Sequence, residues 1–480
     1  MSEQNQSTEY GGDKDLVDIA RESSFALRDT TKWLHRRVER ICHTERSMVR
    51  RKVSVDFTIP EDLPPFHQSE DDATTPNVYF VPVALLRKWP PLMEFDLRAE
   101  DGRPIPLLTT RKNREVDAAA LIDLAPEGSE RECLRSLLES VAHLDEPGAR
   151  HSLEAVGTFL DVRWASLPPD DQKAWHRTLR VAGSLVTNSI LWVRVEANPG
   201  QRQLIKFAFI DPAPKELLLR RRVLSAFSWA PRRAQYLLPN LGERGSYHLE
   251  IEVPPDLAIY RAKLELSDLP PLVPQTPPGT KTLSWLKALP EKLALGMRER
   301  YRELLDPGRQ RRPEDQREVE PGKPYARNVG ERAYLYVVGS QDQYGMASVD
   351  MGIGNRALIT SSWRASLVIT ALLALLWQAP GSVVHHLDGA VALLVIFPAL
   401  LALVVVRAGE HPMMRQLIAG VRFLLVGAAM LPVVDALFML AYAHPRAGDV
   451  RTPFLIVFLV GAFVSVLLGT SWLLPGTTDD

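Results

Sequence analysis

One carboxylate stands inside a long apolar run. Asp435 follows Leu431-Pro432-Val433-Val434 and precedes Ala436-Leu437-Phe438-Met439. A charged side chain at the middle of a bilayer costs roughly 2.5–3.5 kcal/mol on insertion scales, so it has to face a helix bundle or water. Ion passage, a proton relay and helix pairing are the chemistries Asp435 would serve. A hydrated or protonated acid near the interface is the plainer reading. Upstream, His385, His386 and Asp388 put three potential ligands into four residues. Imidazole with carboxylate suits zinc or copper, but a short polar loop carries adjacent histidines without any metal. No metal site and no cofactor is therefore assigned. The phosphate-binding Gly-x-x-x-x-Gly-Lys-Ser/Thr loop, Gly-x-Gly-x-x-Gly, His-Glu-x-x-His and Gly-x-Ser-x-Gly are absent. A turn accounts for Gly352-Ile353-Gly354. A catalytic site assembled from distant residues would leave no such motif.

A second group of residues is basic. Leu34, Val38, Ile41 and Met48 recur at helical spacing, which predicts a helix over Asp15 to Arg51. Its other faces would carry a candidate patch of Arg36, Arg37, Arg40, Arg50, Arg51 and Lys52. Near an anionic bilayer each such residue contributes about 1 kcal/mol. A solvated helix face is the alternative.

These residues need elements to hold them, and the chain divides into two unlike parts. Spanning the hydrocarbon takes about 20 helical residues. Four C-terminal stretches meet or approach that, at about 363–384, 387–406, 417–443 and 454–474. The first, built on Ala365 to Trp377, is short and has to borrow residues on both sides. Trp363 and Trp377 bracket it as interfacial anchors. Pro398 and Pro432 are expected to kink their segments. Arg356 and Arg364 precede the first segment, the loop from Ala379 to Leu387 has no Lys or Arg, and Arg407 and Arg415 follow the second. The positive-inside rule then puts the N-terminal region in the cytoplasm and, with an even number of crossings, the tail 475–480 there too. Arg446 and Arg451 in the third loop weigh slightly the other way.

Before Ser361 the chain is charged and rich in proline. Removing the five basic (Arg407, Arg415, Arg422, Arg446, Arg451) and six acidic (Asp388, Glu410, Asp435, Asp449, Asp479, Asp480) residues beyond Ala365 from totals of 57 and 58 leaves 52 of each. A neutral region of that kind is not expected to bind nucleic acid as its main partner. Cys42 and Cys133 lie far apart, which excludes a disulfide framework and suits a reducing compartment. Residues 1–14 are polar, read as disordered, and lack an apolar signal-peptide core.

Alternation with period two predicts strands at Val53–Ile59, Val78–Leu86, Met93–Leu97, Ile105–Leu108, Ile190–Ala197, Gln203–Phe209, Tyr247–Val253, Leu257–Leu266, Ala333–Val338 and Ala347–Gly352. Hairpins are expected across Asp101-Gly102, Asn198-Pro199-Gly200 and Pro254-Pro255-Asp256. Helical periodicity covers Val116–Leu124, Ser129–His143, His151–Leu167, Gln172–Val186 and Leu283–Leu304. The order of elements is α+β, not a βαβ alternation. The expected architecture is an α+β cytosolic region with antiparallel, sandwich-like strands, followed by a C-terminal four-helix transmembrane bundle. Its parts are an α+β region at 15–212, a strand-rich membrane-proximal region at 213–360 with a helical or disordered insertion at 268–330, and the helices at 361–474.

Several stretches resemble a family of uncharacterised bacterial membrane-anchored proteins. They are Arg50-Arg51-Lys52-Val53-Ser54-Val55-Asp56-Phe57, Glu94-Phe95-Asp96-Leu97-Arg98, Gly102-Arg103-Pro104-Ile105-Pro106-Leu107-Leu108-Thr109, Ser246-Tyr247-His248-Leu249-Glu250-Ile251 and Trp363-Arg364-Ala365-Ser366-Leu367. The resemblance implies a cytosolic region followed by membrane helices in a bacterial inner membrane, and no activity. The expected function is a non-enzymatic, membrane-tethered binding or sensing protein whose partners are the lipid bilayer and other proteins, or further copies of itself. An oligomeric channel or pore-forming effector is one alternative. A tethered enzyme without a recognisable motif is another.

Overall fold

The computed structural model describes residues 18, 24–27, 30–44, 48–65, 77–88, 92–214, 224–238, 245–267, 325–338, 344–353, 357–379, 411–441 and 447–473. The expected helix at Leu283–Leu304, the second apolar segment with His385, His386 and Asp388, residues 1–14 and the tail lie outside them.

Twelve strands are described: β1 (Leu34–His43), β2 (Met48–Thr58), β3 (Asn77–Arg87), β4 (Met93–Arg98), β5 (Asn188–Ala197), β6 (Arg202–Pro212), β7 (Arg232–Leu238), β8 (Ser246–Glu252), β9 (Leu257–Ser267), β10 (Tyr325–Val329), β11 (Arg332–Val338) and β12 (Tyr344–Ile353). They form a seven-stranded sheet in the order β10-β11-β8-β1-β2-β6-β4, a three-stranded sheet β7-β12-β9 and a two-stranded sheet β3-β5. All pairs are antiparallel except β1 with β8, which is parallel. That pair joins strands from either side of residue 212, so one sheet draws on both halves of the N-terminal region.

Four helices, α1 (Thr110–Leu124), α2 (Ser129–His143), α3 (Glu146–Arg163) and α4 (Pro169–Thr187), lie between β4 and β5. Two of their starts, those of α1 and α3, carry a side-chain cap, and α4 has acids in its first turn. Thr109 accepts from the Lys112 amide and Asp145 from the Gly148 amide, while Asp170 and Asp171 fill the first turn of α4. The sheet β3-β5 is sandwiched. Phe80, Ile190 and Trp192 point into the helices, whereas Tyr79, Val81, Val83, Leu191 and Val193 meet Val55, Phe57 and Phe207 of the seven-stranded sheet. Burial on both faces explains why β3 and β5 are nearly continuous apolar runs.

The expected helix from Asp15 to Arg51 is overturned in its second half, which is β1 and the start of β2; most of its first half lies outside the described residues. The helical spacing misled because β1 buries two charged residues, Arg37 and Glu39, on its inner face, and a bulge between Leu34 and Arg36 shifts the alternation. Two expected hairpins also dissolve. β5 and β6 turn at Asn198-Pro199-Gly200, yet β5 pairs with β3 and β6 with β2 and β4. β8 and β9 turn at Asp256 and enter different sheets. Turn residues encode a reversal of the chain, not a shared sheet. Ile105–Leu108 forms no strand; a single bridge joins Arg98 to Pro104, just before it, beside the Asp101-Gly102 turn. The last residues of the expected insertion are the edge strand β10.

The C-terminal part contains α5 (Ala357–Gln378), α6 (Pro412–Ala441) and α7 (Ala447–Leu473). Among the described residues these are three candidate membrane spans, Ile359–Gln378, Met413–Ala441 and Arg451–Thr470. The first gains its length on the N-terminal side, beginning before Ser361. Phe423, Leu437, Leu440, Ile456, Phe463 and Val466 are exposed, whereas Ser366, Ser465 and Asp435 are buried. Apolar groups outside and polar groups inside is the arrangement a lipid solvent selects.

Candidate functional site

The six basic residues expected to share one helix face fall on two faces of a sheet. Successive side chains of a strand alternate, so Arg36, Arg40, Arg50 and Lys52 point outward while Arg37 and Arg51 point inward. Outward, Arg40 reaches Glu252 at 2.6 Å and Arg50 pairs with Glu94. Inward, a charged belt separates two apolar clusters. Glu39 is 1% exposed and accepts from Arg37 Nη2 at 3.0 Å, Arg51 Nη1 at 2.9 Å and the Tyr247 hydroxyl at 2.8 Å. Arg51 continues to Asp211 at 3.5 Å and to the Leu237 carbonyl at 3.3 Å, and Arg87 from β3 closes on the same Asp211. The Arg37 guanidinium also stands 5.9 Å from the Phe207 ring centroid. One polar network therefore touches all three sheets.

Its electrostatics follow from its surroundings. Burial would push the Glu39 carboxyl up, but Arg37, Arg51 and the Tyr247 hydroxyl together hold it below the ordinary range. Burial and the neighbouring Glu39 push the Tyr247 phenol well up, so it stays a donor. Breaking a buried ion pair from one side costs about 3–5 kcal/mol.

The other end of the β1–β2 hairpin grips the membrane part. His411 caps α6: its carbonyl accepts from the Arg415 amide at 3.1 Å, and its Nδ1 accepts from the Met413 amide at 3.2 Å. Its Nε2–H then donates to the Thr44 carbonyl at 2.8 Å, which selects that tautomer. Beside it, His43 Nε2 meets the Tyr236 hydroxyl at 2.6 Å. Burial, then His411 and Arg232, push the His43 imidazole down to about 4, so it is neutral. The Ser228 hydroxyl donates to the Leu417 carbonyl at 3.1 Å and Arg232 to Gln416 at 2.5 Å. Phe227 lies against Gly420, where a Cβ would come within 2.6 Å of its ring. Ile359 of α5 and Met413, Met414, Leu417 and Ile418 of α6 sit in one apolar cluster with Ile41, Val49, Tyr247, Leu335 and Val349 of the sheets.

Within the three helices, α5 and α7 run antiparallel. Trp363 lies against Gly469, Thr370 pairs with Ser465 at 2.8 Å, and Trp377 stacks on Phe458 with centroids 5.7 Å apart. Small residues let the backbones approach: a methyl at Gly461 would lie 3.0 Å from Leu373 and 3.5 Å from Leu431. Asp435 is 0% exposed, and neither carboxylate oxygen has a hydrogen-bond partner among the described residues. Sequence reasoning singled out Asp435 but missed the His43, Tyr236 and His411 junction, because those residues are separated by up to 368 positions and share no motif. It missed Glu39 as the centre of the belt for the same reason.

Compared with protein-family models and with curated proteins, the chain matches none.

Proposed function

We propose that this chain is a multi-pass membrane protein whose N-terminal α+β region binds or senses a partner on the cytoplasmic face and is coupled directly to its helices. It is of the membrane-anchored kind that the Arg50–Phe57 and Trp363–Leu367 stretches resemble. The observation that carries this reading is the shared core: Ile359 of α5 and Met413, Met414, Leu417 and Ile418 of α6 sit in one apolar cluster with residues of both larger sheets. Any rearrangement of those sheets has to move the first turns of α6, since packed interiors transmit displacement.

Four crossings suit the described ends. α5 and α6 both begin at the shared core, and α7 returns toward it. Between α5 and α6 in the sequence, Leu387–Val406 holds the 20 or so apolar residues that a return crossing takes. Arg364, Arg415 and Arg422 gather at the end of the bundle nearest the sheets, which favours that side as cytoplasmic.

The test is truncation after Ile353. Loss of Ile359, Met413, Met414, Leu417 and Ile418 removes five buried apolar side chains from the core, each worth about 1.5–3 kcal/mol. The truncated protein should melt far below the full-length protein in detergent, or aggregate. A fragment as stable as the whole would refute direct coupling.

A further inference from the structure

The joint between the sheets and α6 is built on two imidazoles that both have to be neutral. His411 uses both ring nitrogens. Its Nε2–H donates to the Thr44 carbonyl at 2.8 Å, and its Nδ1 accepts from the Met413 amide at 3.2 Å. A proton on Nδ1 turns that acceptor into a donor facing the Met413 N–H, and the cap of α6 is lost. It also places a positive charge at a helix N-terminus, where the macrodipole opposes it, and the first turn of α6 has no acid to offset it. His43 is enclosed on β1. Its Nε2 meets the Tyr236 hydroxyl at 2.6 Å, and its Nδ1 is buried with no partner. A proton there is a buried donor without an acceptor. Among the described residues, His411 and Arg232 of β7 act electrostatically on His43, and Arg51 of β2 acts with Arg232 on Tyr236. Arg415 lies in the first turn of α6. Asp350, the acid of β12, is bonded to Arg233 at 2.7 Å, and alternation along β7 puts that pair on the face away from Arg232 and Tyr236. Asp211 is held by Arg51 and Arg87. Glu45, Arg46 and Glu410 adjoin Thr44 and His411 in the chain and lie outside the described residues.

We propose that His43 and His411 form a proton-operated latch: neutral, they hold the start of α6 to the β1–β2 turn and to β7; protonated, they release it. This rests on the coupling between the sheets and α6 proposed above, and it makes that coupling depend on pH. Burial, then His411 and Arg232, push the His43 imidazole down to about 4, so it takes a proton at higher pH only when the latch is open. Its contribution to closure is complete above the ordinary histidine value near 6.5 and is lost as pH falls through about 4. Acid therefore favours opening.

Hydrogen exchange of the full-length protein in lipid nanodiscs, from neutral to acid pH and corrected for the intrinsic pH dependence of exchange, provides the test. Peptides covering the start of α6 and β7 should gain exchange below about pH 6.5. The gain should reach up to about tenfold per pH unit for each imidazole that takes a proton, while peptides of α1 to α4 gain none. His411→Asn keeps a side-chain cap without a titrating group, and His43→Gln keeps a partner for Tyr236. Each should lose part of the acid gain, and the double variant all of it. Glu45→Gln and Glu410→Gln should retain it. Exchange at the start of α6 that does not respond to acid overturns the latch. So does an acid gain as large in the double variant as in the wild type, or its loss in Glu45→Gln or Glu410→Gln. Exchange of the imidazole C2 hydrogen, read by mass spectrometry, needs no variant to fold. It should give His43 a protonation midpoint well below about 6.5, and a midpoint at that value also overturns the proposal. Truncation after Ile353 tests the coupling separately, since it is read as melting at a single pH.

Discussion

Asp117 is enclosed with donors on three sides. Trp192 Nε1 donates at 2.9 Å, Asn113 Nδ2 at 3.2 Å and the Ile190 amide at 3.3 Å. These bonds and the nearby Lys88 favour the charged form, yet burial outweighs them and pushes the carboxyl up to about 7. Between the unfolded value near 4 and about 7, the folded protein holds a proton that the unfolded chain has lost. Stability from this group is therefore greatest at acid pH and falls as pH rises through that window. His43, pushed down to about 4, acts with the opposite sign from there to its ordinary value. Lys88, pushed down to about 8 by burial, acts above both. Chemical denaturation of wild type and Asp117→Asn at pH near 5 and near 8 isolates Asp117. Relative to the variant, the wild type should lose about 2–3 kcal/mol across that interval. Parallel curves would show that the three donors keep Asp117 ionised throughout. Asp117 was legible from sequence only as one polar residue in a helix, because its partners sit on α1 itself and on β5, more than 70 residues away.

At the scale of elements, the joint between the sheets and α6 is where the two parts of the chain share a core. The first two turns of α6 belong to the core of the sheets, and the helix leaves that core at Gly420 under the ring of Phe227. A Cβ there would meet the Phe227 ring at 2.6 Å and the Ala226 carbonyl at 2.8 Å, too close for either to stay in place. Gly420→Ala should cost about 1–3 kcal/mol by overpacking, and hydrogen exchange should rise at Ser228 and at the start of α6 while α1 to α4 stay unchanged. Exchange that rises equally everywhere would mean that the joint is not a separate mechanical element. The four soluble helices and most strands were readable as elements because their apolar period is regular. β1 was not, since Arg37 and Glu39 occupy inward positions that a sequence pattern reserves for apolar residues.

For the whole molecule, the proposed topology makes a prediction about sidedness. Both α5 and α6 leave the sheets and α7 returns toward them, so with four crossings the tail and the N-terminal region share one side. Reporter fusions at Asp388 and Asp480 should report opposite sides of the membrane, with Asp480 cytoplasmic. A cytoplasmic Asp388 would sink the four-crossing topology. By itself the sequence determined what local period and composition can carry: apolar stretches long enough to cross a bilayer, helices α1 to α4, most strands, and a lone acid in the third stretch. Only the tertiary structure decided which strands pair, since β1 meets β8 in parallel across some 200 residues and two tight turns send their arms to different sheets. It also decided that Arg37 and Arg51 face a buried Glu39 and not a lipid surface. The physical reason is the same in each case: hydrogen bonds between strands and ion pairs in a core join residues distant in the chain, and no local pattern records that choice.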